Sequence, residues 1–222
     1  MHLPRAALAI TLVMTLVLAS ACAADLAYQP HHHSPAPIRS EVHAAARAGE
    51  ATIHYAPDGA LLLPADYRTW VFLSSGIDMS YNPKADAATH HTFDNVFASP
   101  SAYQGFQATG IWPDKTMLVL EVRAAHNQAS LNKRGQTQGG EIIGLEVHLK
   151  DTTRYPGGWA FFDVGDDRRG RYLQPTADCY TCHRDHAAVD TTFVQFYPTL
   201  LPTAQHHATL SPSYLKERLS TQ

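Results

Sequence analysis

The sequence is poor in cysteine, with three cysteines in 222 residues. It also carries little charge, since 17% of its residues are charged and its formal net charge is −3. Beyond the N-terminal segment, no apolar run is long enough to span a membrane. No basic stripe indicates a nucleic-acid partner. The remaining composition, with 45% apolar residues, is typical of a globular protein.

Residues 1–24 have the pattern of a secretory signal peptide. Arg5 supplies a basic start, Ala6 to Leu18 form an apolar core, and small residues fill positions 19–24. The apolar core is too short to cross a bilayer as a stable helix, so the segment is expected to direct export. The sequence therefore predicts a periplasmic protein.

Cys22 has two interpretations, which both leave the folded chain with two cysteines. Small residues precede it, so it could become the acylated N-terminus of a lipoprotein. Ala19 stands where such lipoproteins usually have leucine, which favours simple cleavage of the signal peptide.

The mature chain is predicted to consist of an arm and one domain. Residues 25–50 are rich in alanine, proline and histidine, a composition typical of a linker or N-terminal arm. Residues 51–222 are long enough to enclose one hydrophobic core.

The two remaining cysteines lie in the five-residue segment Cys179-Tyr180-Thr181-Cys182-His183. C-x-x-C-H is the attachment signature of a c-type haem, in which each thiol adds across one vinyl group. His183 would ligate the iron as the proximal base, so it is also the predicted metal ligand. A disulfide or half of a zinc site is the alternative, but zinc would require further ligands and no second cysteine pair exists. We therefore expect one covalent haem c.

The patterns of the domain predict an α+β chain that is mainly β. A helix is expected from Ser99-Pro100 to Thr109, and a short helix at Tyr67 should lead into a strand. Strands are expected over 116–122, 141–150 and 159–164, with a polar hairpin connection over 127–140. In the second of these strands, His148 falls on the polar face and is expected to be exposed. Strands without crossover helices between them predict an antiparallel sheet.

The chain resembles the cytochrome P-460 family, which includes the β-sheet cytochromes c-prime (cytochrome c-prime-beta). The resemblance covers residues 67–198 and rests on the order of four elements. They are Tyr67-Arg68-x-Trp70, the Ile111-Trp112-Pro113-Asp114 turn with the strand that carries Glu121, Gly157-Gly158-Trp159-x-Phe161, and the haem motif followed by Asp190, Phe193 and Phe196-Tyr197-Pro198.

The resemblance implies a five-stranded antiparallel sheet with peripheral helices and a C-terminal haem-attachment helix, usually in a homodimer. It also implies a five-coordinate haem that binds a small gaseous or nitrogenous ligand such as nitric oxide. Whether a periplasmic redox partner acts with it is left open. Family members that oxidise hydroxylamine carry a lysine cross-linked to the porphyrin. Leu120 stands at the position of that lysine, and Lys115 and Lys133 are predicted to be solvated. We therefore do not expect the cross-link.

Four residues are candidates for the distal side of the haem. Arg68, Phe72, Phe97 and Glu121 are candidates for distal residues because polar groups and an apolar cap there control ligand access. Met79 could act as a sixth ligand, which would instead make the protein a plain electron carrier. Whether the protein is an enzyme of the P-460 type is left open by these residues.

Overall fold

The computed structural model describes residues 52–79, 91–127 and 130–220. The predicted signal peptide, Cys22 and the predicted linker lie outside the described residues. None of the helices found in the described part of the chain combines the length and the apolar character that a membrane crossing requires.

One antiparallel sheet of eight strands dominates the fold, and its order is β1-β2-β8-β7-β6-β5-β4-β3. The strands are β1 (His54–Tyr55), β2 (Leu61–Leu62), β3 (Val71–Ile77), β4 (Thr92–Ala98), β5 (Met117–Asn127), β6 (Gln136–Lys150), β7 (Trp159–Val164) and β8 (Arg169–Tyr172). The mainly β, antiparallel prediction is confirmed, but the expected count of five strands is wrong. The five long strands β3 to β7 are present, and β1, β2 and β8 extend the sheet beyond β7. Strands of two to four residues are too short to show a period-2 pattern in the sequence.

Within the described residues, four α-helices and two 3-10 helices surround the sheet. They are α1 (Pro100–Thr109), α2 (Asp178–His186), α3 (Leu201–His206) and α4 (Pro212–Ser220), with 3-10 helices at Tyr67–Thr69 and Val194–Phe196. Helix α1 begins and ends as predicted, with Pro100 in its first turn and Gly110 in the left-handed conformation at φ 72°.

The two strands of the β5–β6 hairpin are longer than the sequence predicts, and the loop between them is shorter. β5 continues to Asn127 and β6 begins at Gln136, which pairs with it across the hairpin. Asn95 and Gln138 also exchange two amide hydrogen bonds of 2.8 and 2.9 Å between β4 and β6. Polar side chains can therefore continue a strand ladder, and polarity alone did not indicate where the strands end.

The two faces of the sheet are both covered, and they differ in what covers them. On what we call the closed face, side chains such as Val119, Val147 and Phe162 pack against Tyr67 and Trp70 from the segment before β3. On what we call the cavity face, Leu118 and Trp159 belong to a second core with residues of α1, α3 and the C-terminal segment. Neighbouring residues on one strand thus enter different cores, as the alternation of a strand requires.

Candidate functional site

Helix α2 carries the whole Cys-x-x-Cys-His motif and presents it to one side. Cys179, Cys182 and His183 are spaced by three and four residues, so they share one face of the helix. Tyr180 fixes this helix to the sheet, because its hydroxyl accepts a hydrogen bond from the Phe161 backbone N–H at 3.2 Å. The same hydroxyl donates to the Leu173 carbonyl at 3.0 Å.

The motif faces a cavity of about 680 Å³ between α2, the C-terminal segment and the cavity face of the sheet. This volume lies within the range of pockets that hold cofactors and other small molecules. Cys179, Cys182 and His183 all line it. The apolar part of the wall includes Val96, Leu118, Leu120, Phe161, Phe193 and Phe196.

His183 has the environment of a metal-ligating imidazole. Its Nδ1 lies 2.7 Å from the carbonyl oxygen of Thr191, which can only accept, so Nδ1 carries the proton and Nε2 is left as the basic nitrogen. Burial lowers the pKa of His183 to about 4, so the ring is neutral. Phe193 and Phe161 pack against it with ring centroids at 4.1 and 4.6 Å. A backbone carbonyl that accepts from the second ring nitrogen is the usual support of a ligating histidine.

The cysteines and the cavity together fit a haem. Cys179 and Cys182 are free and half-buried. Burial raises the pKa of both thiols, which keeps them protonated. Two thiols, a neutral imidazole and an apolar wall therefore meet in one cavity. Among the described residues, no group of three or more His, Cys, Asp and Glu side chains is arranged to hold a metal ion directly.

Two carboxylates that the sequence interpretation missed also line the cavity. Asp94 on β4 and Glu146 on β6 both project from the cavity face. Burial raises the pKa of Asp94, and the nearby Asp78 adds to the effect. Glu146 is exposed at the cavity, yet desolvation by the surrounding protein raises its pKa, together with the charges of Asp163 and Asp94. The alternation of β6 places Glu146 and His148 on one face of the strand, which is the sequence signal that connects the two residues.

His148 is buried, so the prediction that it is exposed is wrong. His148 is only 8% exposed, and its ring stacks on the ring of Phe161 with the two centroids 3.9 Å apart. Trp159 lies on it at 4.3 Å and His183 at 5.2 Å. The polar face of β6 does not meet solvent here because the motif helix and the C-terminal segment cover it.

The four distal candidates do not line the cavity but lie on the closed face or at its rim. Glu121 is 2% exposed and accepts hydrogen bonds from Tyr67, Arg68 and Arg123, of which the Arg68 bond measures 2.7 Å. Burial opposes ionisation of Glu121, but these three donors together lower its pKa.

The two aromatic candidates accompany this network and are also away from the cavity. Phe97 meets Tyr67 and Phe72 edge to face, each at 5.8 Å. Phe72 itself is 52% exposed. A bulge between Phe72 and Ser74 gives the two opposite orientations, so that Ser74 and Gly76 line the cavity in place of Phe72. None of the four is among the described residues that line the cavity, and their assignment as distal groups stays a prediction.

Met79 and Leu120, in contrast, both line the cavity. No lysine is present among the described residues that line it. Lys115 forms an ion pair with Asp151, and Lys150 donates to the Trp112 carbonyl at 2.7 Å. Lys84 lies outside the described residues.

The fold and the site define a class of protein. In this class an antiparallel sheet holds a helix with the C-x-x-C-H motif beside a cavity of the size of a cofactor. A family model described as Cytochrome P460 matches residues 64–194. The chain belongs to the cytochrome P460 family, as its sequence patterns predict. Membership implies a haem cofactor. No curated protein matches the chain.

Proposed function

We propose that this protein is an exported cytochrome with one covalent haem c and a five-coordinate iron that binds nitric oxide or a related small nitrogen species. The observation that carries the proposal is the convergence of Cys179, Cys182 and the unprotonated Nε2 of His183 on one cavity. The haem would supply an open iron position for a ligand, and the residues of the chain would control access to it.

The covalent attachment is supported by the state of the two thiols. Each thiol would add across one vinyl group, so that the sulfur and its proton both go to the vinyl carbons and no oxidant is required. Cys179 and Cys182 lie one turn apart on α2, and the hydrogen bonds of Tyr180 hold that helix against β7 and Leu173.

The wall of the cavity favours a small neutral ligand over an anion. Much of the wall is aliphatic or aromatic, and no arginine or lysine occurs among the described residues that line it. Its charged groups are carboxylates, of which Asp94 and Glu146 lie on the sheet. These carboxylates would repel nitrite and similar anions, whereas nitric oxide is uncharged.

The alternative of a cross-linked, hydroxylamine-oxidising cytochrome has less support. It would require a lysine at the cavity, and Leu120 occupies the position at which the family carries it. Whether the protein converts its ligand by a redox step, with a periplasmic partner as the electron donor or acceptor, is part of the same proposal.

A second candidate function, electron transfer with Met79 as sixth ligand, is favoured by one observation. Met79 lines the cavity, although it follows β3 outside any strand or helix. A thioether ligand opposite the histidine is typical of electron-carrying cytochromes c. The optical spectrum distinguishes the two functions, since a sixth protein ligand would make the iron low-spin without any addition.

Mass spectrometry of the exported protein and a nitric oxide titration test the proposal. We expect the mass of the mature chain plus one haem, and retention of that haem under denaturing conditions. Cys179→Ala and Cys182→Ala should each remove one thioether. Nitric oxide should bind the ferrous protein, while nitrite at equal concentration should not. Haem that is lost on denaturation would contradict covalent attachment, and an absence of any spectral response to nitric oxide would contradict the open iron.

A further inference from the structure

We propose that His148 and Thr191 form a positioning pair that holds the hydrogen-bond acceptor of the proximal ligand in place. This inference rests on the proposed function, in which His183 ligates the haem iron. The Thr191 residue has two links to the site. Its backbone carbonyl accepts from His183 Nδ1 at 2.7 Å, and its side-chain Oγ1 lies 3.2 Å from His148 Nε2.

The carbonyl of Thr191 belongs to the short segment 190–192. Side chains from β6 and from the turn before β5 contact this segment. Strand β6 contacts this segment twice, because Lys150 donates to Asp190 at 3.0 Å and His148 bonds Thr191. From the turn before β5, Trp112 Nε1 donates to Thr192 Oγ1 at 2.8 Å. Asp190 adopts φ 52°, a left-handed conformation that is uncommon for a residue other than glycine. These three side-chain contacts add to the backbone hydrogen bonds between Val189 and Thr192 that close the tight bend.

His148 is itself held firmly enough to act as an anchor. Its ring lies nearly parallel to Phe161, at an interplanar angle of 12°, and Phe161 is its cross-strand partner on β7. Trp159 packs on the ring as well, with centroids 4.3 Å apart. A ring fixed by two aromatic contacts on the sheet can define the place of the Thr191 hydroxyl, and through it the place of the carbonyl.

The consequence for the iron follows from the strength of the Thr191 carbonyl to His183 bond. A histidine that donates its second N–H to a well-placed acceptor is a stronger ligand, and hydrogen bonds of this kind tune the reduction potential. If the acceptor moves away, the bond between His183 and the iron weakens and the ferric state is less stabilised. His148 would then influence the haem without touching the iron.

Resonance Raman spectra and redox titrations of the holoprotein test the pair against simple packing. Thr191→Val removes the hydroxyl and keeps the carbonyl, and Thr191→Ser is its matched control because it keeps the hydroxyl. His148→Phe keeps a ring for stacking and removes the nitrogen. We expect Thr191→Val and His148→Phe each to lower the iron–histidine stretching frequency and to make the midpoint potential more positive, with Thr191→Ser unchanged. The double variant should shift no further than either single variant, since both remove the same bond.

Each other outcome overturns a defined part of the account. Wild-type frequency and potential in both single variants, with folding intact by circular dichroism, would show that His148 only packs. A shift in His148→Phe without one in Thr191→Val would show an effect of the ring alone and would also overturn the pair. A wild-type protein without covalent haem would instead refute the proposed function, and the pair with it.

Discussion

The closed face and the cavity face of the sheet treat their glutamates in opposite ways, since Glu121 is buried and Glu146 is exposed at the cavity. On the closed face, Glu121 accepts from three donors, and its pKa is lowered. On the cavity face, the pKa of Glu146 is raised by desolvation and by neighbouring carboxylates. The two positions lie on adjacent central strands, where Glu121 pairs with Leu145 and Leu120 pairs with Glu146. One face is therefore arranged for stability, and the other leaves polar groups available in a cavity.

This comparison also explains why residues of the family pattern occur far from the haem motif. Tyr67, Arg68 and Glu121 meet in one hydrogen-bonded network on the closed face. Their role is to attach the segment before β3 to the centre of the sheet. Asp190 and Phe193 belong to the other face, where one holds the bend beside His183 and the other packs on its ring.

The largest expected effect is on the cavity face, from His183→Ala. We expect the haem to remain attached through the two cysteines, while the native ligation and its absorption spectrum are lost. His186→Ala is the matched control, because His186 lies on the same helix but is exposed and pairs with Glu217 at 3.1 Å. The optical spectra of the two variants are compared with that of the wild type. An unchanged spectrum in His183→Ala would rule out His183 as the proximal ligand.

The next largest expected effect is a difference in the free energy of unfolding between variants of Glu121 and Glu146. Glu121→Gln should lower the free energy of unfolding by about 2 kcal/mol, because the buried carboxylate loses its charge-assisted hydrogen bonds to half-buried Arg123 and to the more exposed Arg68. Glu146→Gln should not lower it at neutral pH, since desolvation disfavours the charge that the substitution removes. Urea unfolding of the holoprotein measures both. A larger loss in Glu146→Gln than in Glu121→Gln would contradict the contrast between the faces.

The pH dependence of stability should differ in sign between the two acids. Glu121 has a folded-state pKa below its ordinary value of 4.5, so its contribution is present above that pH and is lost as the pH falls through the lowered pKa. Glu146 has a folded-state pKa above 4.5, so its protonated form favours folding below that pH, and this advantage is lost as the pH rises through the raised pKa.

Thermal unfolding of the variants over a range of acid pH separates these contributions. Glu121→Gln should be less sensitive than the wild type to a fall in pH below 4.5. Glu146→Gln should gain stability over the wild type as the pH rises above 4.5. Parallel pH profiles for the two variants and the wild type would contradict both assignments.

Much of the fold was predictable because it depends on local patterns. Pro100 and Gly110 indicate the two ends of α1, and the long central strands have clear apolar runs. The strands β1, β2 and β8 exist only through pairing with distant segments, as Leu61 does with Gly170. A sequence of two apolar residues does not indicate such pairing.

The haem motif could be predicted because its chemistry is contained in five consecutive residues, but the surroundings of the iron could not. The sequence favours Glu121 as a distal candidate and not Glu146, although both are acids on central strands. Which face of a strand meets the cavity depends on what covers the sheet, and both faces of this sheet are covered. The bulge after Phe72 adds a change of orientation that no periodicity shows.

The smallest expected effect concerns Met79, at the cavity end of β3. Met79→Leu keeps the volume of the side chain and removes the sulfur, so it should leave the absorption spectrum of the reduced protein unchanged. A change from low-spin to high-spin iron in this variant would show that Met79 is a ligand. The sixth position would then be closed in the wild type.

The absorption spectrum of the reduced wild-type protein, recorded before and after nitric oxide is added, tests the central claim most directly. The account predicts a high-spin, five-coordinate spectrum in the absence of ligand and a new spectrum after the addition, with His183 as the only axial ligand from the chain. A sharp low-spin, six-coordinate spectrum before any addition would contradict it, because the cavity would then contain no open iron position.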